Sequence, residues 1–380
     1  MSQSDTTFLE KLLSLSSPTG NEQEIQRFLH DWAEPFAHKI ETDYVGNLAV
    51  VINPVAKLRI MLAGHCDRIG FMVMQITELG FLRVDALGGI DKATMLGAHV
   101  IIQTKNGELT GVIGKTSTHL QTIQEQGNTP SVDTVWIDIG AKSKEEAEKL
   151  VEVGDYVTYK NQLVNLSGSR IAAPALDNIL GLYAIMKTAR NCAERGINVA
   201  LYCVSTAQEE IGSRGAKTAA SAIHPHVAIA VDTTLANDTP AKAKTQTTPD
   251  LKLDGGPSIL KGPNSNPIVT TKLIASAQKL GIPYQMEINA KTASNDAKEM
   301  QLADSGTAAG SVGIPLRNMH TQVEVASLDD LEYTVQLLTE FVSSIVADEN
   351  FYPINHGGSE EMKNRFCMNE IGSEVNRGQN

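Results

Sequence analysis

In the stretch LYCVSTAQEEIGSRGA, residues 201–216, two carboxylates stand side by side where an apolar run leaves the core. Leu201 to Val204 read as a buried strand. Glu209 and Glu210 follow, with Gly212 and Gly215 close behind. A solvated acidic turn is the plain use of such a pair. The chemical use is a division of labour, in which one acid coordinates a metal and the other handles a proton. Adjacent residues on extended backbone point to opposite sides, so on such a segment the two cannot do the same job.

Four more places carry an acid or an imidazole at a strand end or a loop start. In AGHCDRIG, His65 and Asp67 are two residues apart at the end of an apolar strand, so both side chains can point the same way. A ligating imidazole usually has its second ring nitrogen held by a carboxylate, and Asp67 stands where it can do that. In APALDNILG, Asp177 precedes a helix rich in Leu, Ile and Ala, where by itself it reads as an N-cap. Asp232 follows the apolar run Val227–Val231, at the carboxyl end of a buried strand, where open α/β sheets keep their sites. His320 lies in RNMHTQVEVAS, behind the strand-like run GIPLRNM. Each has an ordinary structural reading when taken alone. Together, two imidazoles and three or four carboxylates from separate strand ends suit a pair of divalent cations. The imidazoles favour zinc or cobalt over magnesium. Such a pair needs a carboxylate bridging ions about 3.5–4 Å apart and a general base near the water they share.

Positioning these groups takes more than one core. A chain of 380 residues suggests two domains, one able to sit inside the other. The charge, 32 basic against 44 acidic residues or -12, comes without a Lys/Arg stripe and argues against a nucleic-acid partner. No apolar run is long enough to span a bilayer. The opening MSQSDTTFLEKLL has neither a basic n-region nor a long apolar core, so no membrane partner and a cytoplasmic location are expected. Cys66, Cys192, Cys203 and Cys367 form no CxxC pair and read as reduced.

Helical spacing of Phe8, Leu9, Leu12 and Leu13, then of Ile25, Phe28, Leu29 and Trp32, brackets an SSPTG turn. The strand-like runs NLAVVIN and LRIMLAGH follow. Short β-like runs dominate from about 69 to 166, with SKEEAEKLVEV as the one clear helix, which suggests a small barrel or sandwich. Strand–helix alternation then returns and ends in a helix from about Leu328 to Val346, with Ser327 as its N-cap. The expected architecture is α/β. A discontinuous catalytic domain, 1–68 and 167–348, carries an inserted β-barrel-like domain, 69–166, and a loose tail, 349–380.

GHCDRIGFMV, ALDNILG, AQEEIGSRGA, VDTT and RNMHTQVEV, in this order and with these gaps, resemble the tetrahedral (TET) aminopeptidases, whose relatives include the glutamyl and deblocking aminopeptidases. The resemblance covers roughly residues 5–348. It implies a mixed-sheet dizinc exopeptidase fold with an inserted β-barrel-like domain, and hydrolysis of the N-terminal peptide bond by a water that two metals activate. The implied roles are His65 and His320 as terminal ligands, one for each ion, and Asp177 as the bridge. Glu210 and Asp232 complete the shells, Glu209 is the general base, and Asp67 orients His65. The ions implied are Zn2+, with Co2+ or Mn2+ as substitutes. The implied partners are a peptide substrate and further copies of the chain, built from dimers up to a dodecamer. Four features depart from the family pattern: Arg68 after the HxD, KTASNDAKEM in place of a Gly-rich segment but keeping Asp296, Asn318 before the last His, and a tail of 32 residues beyond Asp348.

Other readings stay open at this level. A carboxypeptidase or deacylase would use a similar two-metal centre. A glycan hydrolase would need two carboxylates about 5–9.5 Å apart and no imidazole. A non-catalytic shell protein would have little reason to keep the full donor set. The preferred first residue is not legible; an acidic preference would need a basic group such as Arg68, Lys291 or Arg317.

Overall fold

Four apolar runs form the parallel centre of a large mixed sheet. In the computed structural model, which describes residues 3–123, 127–240 and 250–354, they are the strands Ala200–Thr206, Arg59–His65, Val227–Leu235 and Ala308–Arg317, in that spatial order. Parallel strands covered on both faces read as unbroken hydrophobic stretches, and these do. Leu48–Ile52 and Lys39–Thr42 extend one side antiparallel. Glu324–Ser327, Arg170–Ala173 and Val164–Asn165 extend the other. Ser258–Lys261 branches from Ala308–Arg317 and pairs with Gln285–Ile288.

The strands alternate between two cores, as their period of two requires. Ile60, Leu62, Val227, Ile229 and Val231 face the larger core, beneath the helices Gln3–Ser14, Gln23–Ala33, Leu176–Arg195, Pro267–Leu280 and Leu328–Ser344. Met61, Ala63, Ala228 and Ala230 face a small-residue core shared with Ala216, Ala219 and Ala220 of the helix Arg214–Ile223 and with Ala297 and Met300 of Ala297–Gln301. One close approach sets the site's floor. A Cβ at Gly64 would meet the Gly181 and Leu182 backbone at 2.9 Å. The central strand and the long helix therefore touch one residue before His65.

The β-rich middle closes into a barrel. Gly70–Ile76 pairs with Leu82–Leu87, then Val135–Asp138, Gly107–Lys115, His99–Thr104 and Tyr156–Tyr159, which returns to the first strand. Phe71, Val73, Val84, Val100, Ile102, Ile113, Ile137 and Val157 fill it. The expected α/β fold with a barrel-like unit is the fold observed.

Several local expectations need correction. SKEEAEKLVEV is helical only at Lys144–Ala147. Ser143 caps that turn by accepting from the Glu146 amide, and among its residues only Ala147 is buried, which leaves little packing to extend it. Ser327 does precede Leu328–Ser344, but its hydroxyl lies against Ser169 Oγ and bonds no helix amide. At the start of the expected tail Phe351 is buried, its carbonyl accepts from Asn266 Nδ2, and Glu349 pairs with Lys272, while residues 352–354 are exposed. The remainder of the expected tail, 355–380, lies outside the described residues, and Cys367 with it. Among the described residues no helix is long and apolar enough to cross a membrane, and Cys66, Cys192 and Cys203 are free and buried.

Candidate metal centre

The carboxyl ends of the parallel strands deliver the first donors. His65 is the last residue of Arg59–His65 and registers with Thr206 of the neighbouring strand. Asp232 lies inside Val227–Leu235, which runs four residues further than its apolar stretch. Asp177 opens the long helix, yet its backbone (φ -79°, ψ 108°) is not helical, and Ala175 before it is left-handed. Its side chain therefore turns into the site instead of capping the helix. Asn178 anchors this irregular start by donating to the Val231 carbonyl and accepting from the Gly181 amide. His320 sits in the turn between Ala308–Arg317 and Glu324–Ser327 with a φ of 64°.

Asp177 divides its carboxylate between the two imidazoles. Its Oδ1 lies 3.5 Å from His65 Nε2, and its Oδ2 lies 3.2 Å from His320 Nε2. Asp232 Oδ1 is 3.6 Å from His65 Nε2, and Glu210 Oε2 is 3.6 Å from His320 Nε2. Two donor triads result, His65–Asp177–Asp232 and Asp177–Glu210–His320, each with its ligand atoms within 4.8 Å of one another. Donors set tetrahedrally at about 2.0–2.1 Å from zinc are about 3.4 Å apart, and the nitrogen–oxygen distances in the triads, 3.2–3.6 Å, are close to that. Asp177 Oδ1 and Glu210 Oε1 are buried without a hydrogen-bond partner, which also suits them to ligate a cation.

The acid pair is not on extended backbone. Gln208 (φ 58°) and Ser213 (φ 52°) are left-handed, and residues 210–212 form a turn. The alternation expected of Glu209 and Glu210 therefore comes from a turn, not from a pleat. Glu210 reaches towards His320, whereas Glu209 Oε1 accepts from Ser213 Oγ at 2.9 Å. Asp67 holds both: its Oδ1 accepts the Glu209 amide at 2.9 Å and its Oδ2 the Glu210 amide at 3.2 Å. Its main-chain oxygen, 3.0 Å from His65 Nδ1, is closer to the ring than its carboxylate at 3.4 Å.

Burial and crowding shape the protonation. Burial pushes Glu209 up to about 8, with Asp296, Asp232 and Asp67 adding to the rise. Burial and then Asp177 push Glu210 well above the carboxylate range, and burial raises Asp232. Burial would raise Asp177 too, but the His320 and His65 contacts outweigh it and hold this acid low. Burial works against a charged His65, yet contacts with Asp177, Asp232 and Asp67 outweigh it and raise the ring well above its ordinary value. Asp177 likewise raises His320. A proton on either ring and a cation beside it would compete for the same donors.

The chain matches the family model described as M42 glutamyl aminopeptidase over residues 46–337. It belongs to the M42 glutamyl aminopeptidase family. This aminopeptidase is 34% identical over 336 residues to a lysyl aminopeptidase of Pyrococcus furiosus, covering 88% of this chain and 95% of that protein. Its fold is similar to a TET aminopeptidase from a marine-sediment Thaumarchaeota archaeon: TM-score 0.86, 27% identity, with 90% and 97% of the chains covered. It is also similar to the Pyrococcus horikoshii TET1 peptidase, described as assembling into a tetrahedron or a large octahedral shell: TM-score 0.79, 28% identity, 90% and 100% covered.

Three acids of this aminopeptidase were not assigned a role from the sequence. Glu324, 1% exposed, accepts the Asp177 amide at 3.0 Å and the His320 amide at 2.8 Å. Its place four residues after His320 in HTQVE is the one sequence signal for it. Asp296 is buried, accepts from Thr206 Oγ1 at 2.7 Å and is pushed up to about 6 by burial. Glu22 closes the set, buried against the Gln208 amide. The barrel also reaches the site: the Asp91 amide donates to the His320 carbonyl, and Gly89 hydrogen-bonds the His320 ring. The three basic candidates differ in their surroundings. Arg68 is 4% exposed with its Nε on Ser17 Oγ, and Arg317 is bound by Asp238. Lys291 is exposed.

Proposed function

We propose that this aminopeptidase holds two divalent cations, zinc first among them, and cleaves the N-terminal peptide bond of peptides. One ion would take His65, Asp177 and Asp232, and the other Asp177, Glu210 and His320. Asp177, turning one oxygen towards each imidazole, is the observation that carries this reading.

Bound ions of this kind act as Lewis acids and make water nucleophilic near neutral pH. The rest is the work of the protein's own groups. Glu209 is the general base: it takes the proton from the attacking water and returns it to the leaving amine. Its position outside both triads, with Ser213 on one oxygen, leaves it free for that transfer. A carboxyl group raised by burial suits a proton shuttle at neutral pH better than an ordinary glutamate does. Asp67 sets the approach of both acids by holding their amides.

We further infer a division at residues 69 and 167 into a catalytic and an inserted domain. A homo-oligomer, which we infer to be built from dimers, is supported by the assembly named for the Pyrococcus horikoshii protein. A cytoplasmic location is supported by Cys66, Cys192 and Cys203, the cysteines among the described residues, being free. The test of the reaction is mass spectrometry of unblocked, N-acetylated and C-amidated versions of one peptide. Loss of single residues from the amino end of the unblocked and amidated forms only is the expected result. Shortening from the carboxyl end would refute the reading in favour of a carboxypeptidase.

A further inference from the structure

Four consecutive backbone amides ahead of and within the acid pair are each held by a side chain. Asn47 Oδ1 accepts from the Ala207 amide at 2.9 Å, and Glu22 Oε1 accepts from Gln208 at 3.2 Å. Asp67 accepts from Glu209 and Glu210. All three holders precede residue 68 in the chain, and all are nearly inaccessible. Glu22 stands at the N-cap of Gln23–Ala33 but makes no cap bond to that helix. Its carboxylate goes instead to the Gly20 and Gln208 amides.

Asn47 closes the same loop from its far end. Its Nδ2 donates to the Gly215 carbonyl at 2.9 Å while its Oδ1 takes the Ala207 amide. The Gly215 amide returns to the Ala207 carbonyl at 3.0 Å. A Cβ at Gly215 would lie 2.2 Å from Asn47 Oδ1, so only glycine fits this closure. Asp43 binds Asn47 in turn, through its amide and its Nδ2. Between the closed ends the chain carries two non-glycine left-handed residues, Gln208 and Ser213. Such conformations persist only where the surroundings over-determine them.

We propose that Glu22 and Asn47 are positioning residues for the acid pair, pinning the amides that lead into Glu209 so that its carboxylate stays at the reacting water. The proposal rests on the reading of Glu209 as general base. Glu22 and Asn47 lie outside both donor triads; they act through the loop.

The experiment is hydrogen exchange of the 203–213 segment in metal-free protein, joined to steady-state kinetics of the reloaded enzyme. Glu22→Ala and Asn47→Ala should each speed exchange in that segment by about tenfold or more, as losing a hydrogen bond to a held amide does. Turnover should fall about 10- to 100-fold by misplacement of the base, with KM and ion content unchanged. Glu22→Gln keeps an acceptor oxygen and should restore most of both. Unaltered exchange in both alanine variants would overturn the proposal. So would a loss of turnover that merely tracks lost ions or lost folded protein. If Glu209→Gln kept full turnover, the base assignment would fail, while the exchange result would still read the frame by itself.

Discussion

Glu324 Oε2 accepts the backbone amide of Asp177 at 3.0 Å, from 147 residues away in the chain. Its other oxygen takes the His320 amide, so one carboxylate sets the spacing of two proposed ligands. Glu324→Gln replaces one acceptor with a donor that faces an amide. Ion affinity should fall about 10- to 100-fold, the usual effect of losing a group that orients ligands. Metal titration of the variant checks this, and unchanged affinity would remove Glu324 from the account.

Glu209 and Glu210 should separate cleanly on substitution. Glu209→Gln should lower turnover about 10²- to 10⁴-fold while leaving the ion content intact. Glu210→Gln should lose an ion. Kinetics beside metal analysis of the same samples tells them apart, and equal behaviour would contradict the division of roles.

Asp177 belongs to both donor triads, and His320 to one. Asp177→Ala should therefore empty both sites, and His320→Ala should leave one ion bound. Atomic-emission analysis of the dialysed variants reads this. A full complement of ions in Asp177→Ala would exclude it as the bridge.

Away from the site, Asp330 gives a pH dependence with a definite sign. Its buried carboxylate accepts the Asp254 and Gly256 amides and is pushed up to about 6 by burial, from 3.8. The folded state then holds the proton more tightly than the unfolded state does. The associated stability is present below about pH 3.8 and is lost as pH rises through about 6, on the order of 1–3 kcal/mol. Asp330→Asn should flatten that part of the curve, whatever constant cost it adds. Urea unfolding between pH 4 and 7 measures the slope, and parallel curves for the two proteins would contradict the expectation.

Much of this was legible in the sequence because it rests on pattern. The barrel strands alternate, the parallel strands run apolar, and His65 and Asp232 stand where those runs end. Asp177 was visible as an acid before an apolar helix, but its inward turn depends on a local break in helical geometry that spacing does not encode. The Glu209–Glu210 pair was found by its position, yet a turn separates the two side chains. Glu324 and Glu22 carry no such mark. They bind backbone amides, and the direction of an amide follows from the tertiary path. Short half-exposed strands, such as Lys39–Thr42 and Arg170–Ala173, gave too few periods to be read. SKEEAEKLVEV showed helical composition, but only one turn of it formed.

The central claim is a pair of cations shared through Asp177, and ion stoichiometry joined to activity tests it most directly. Protein dialysed and then loaded with zinc should bind two equivalents per chain and release N-terminal residues. Chelation should abolish that release, and restored zinc should return it. One equivalent or none at full activity, or turnover that survives chelation, would contradict the account.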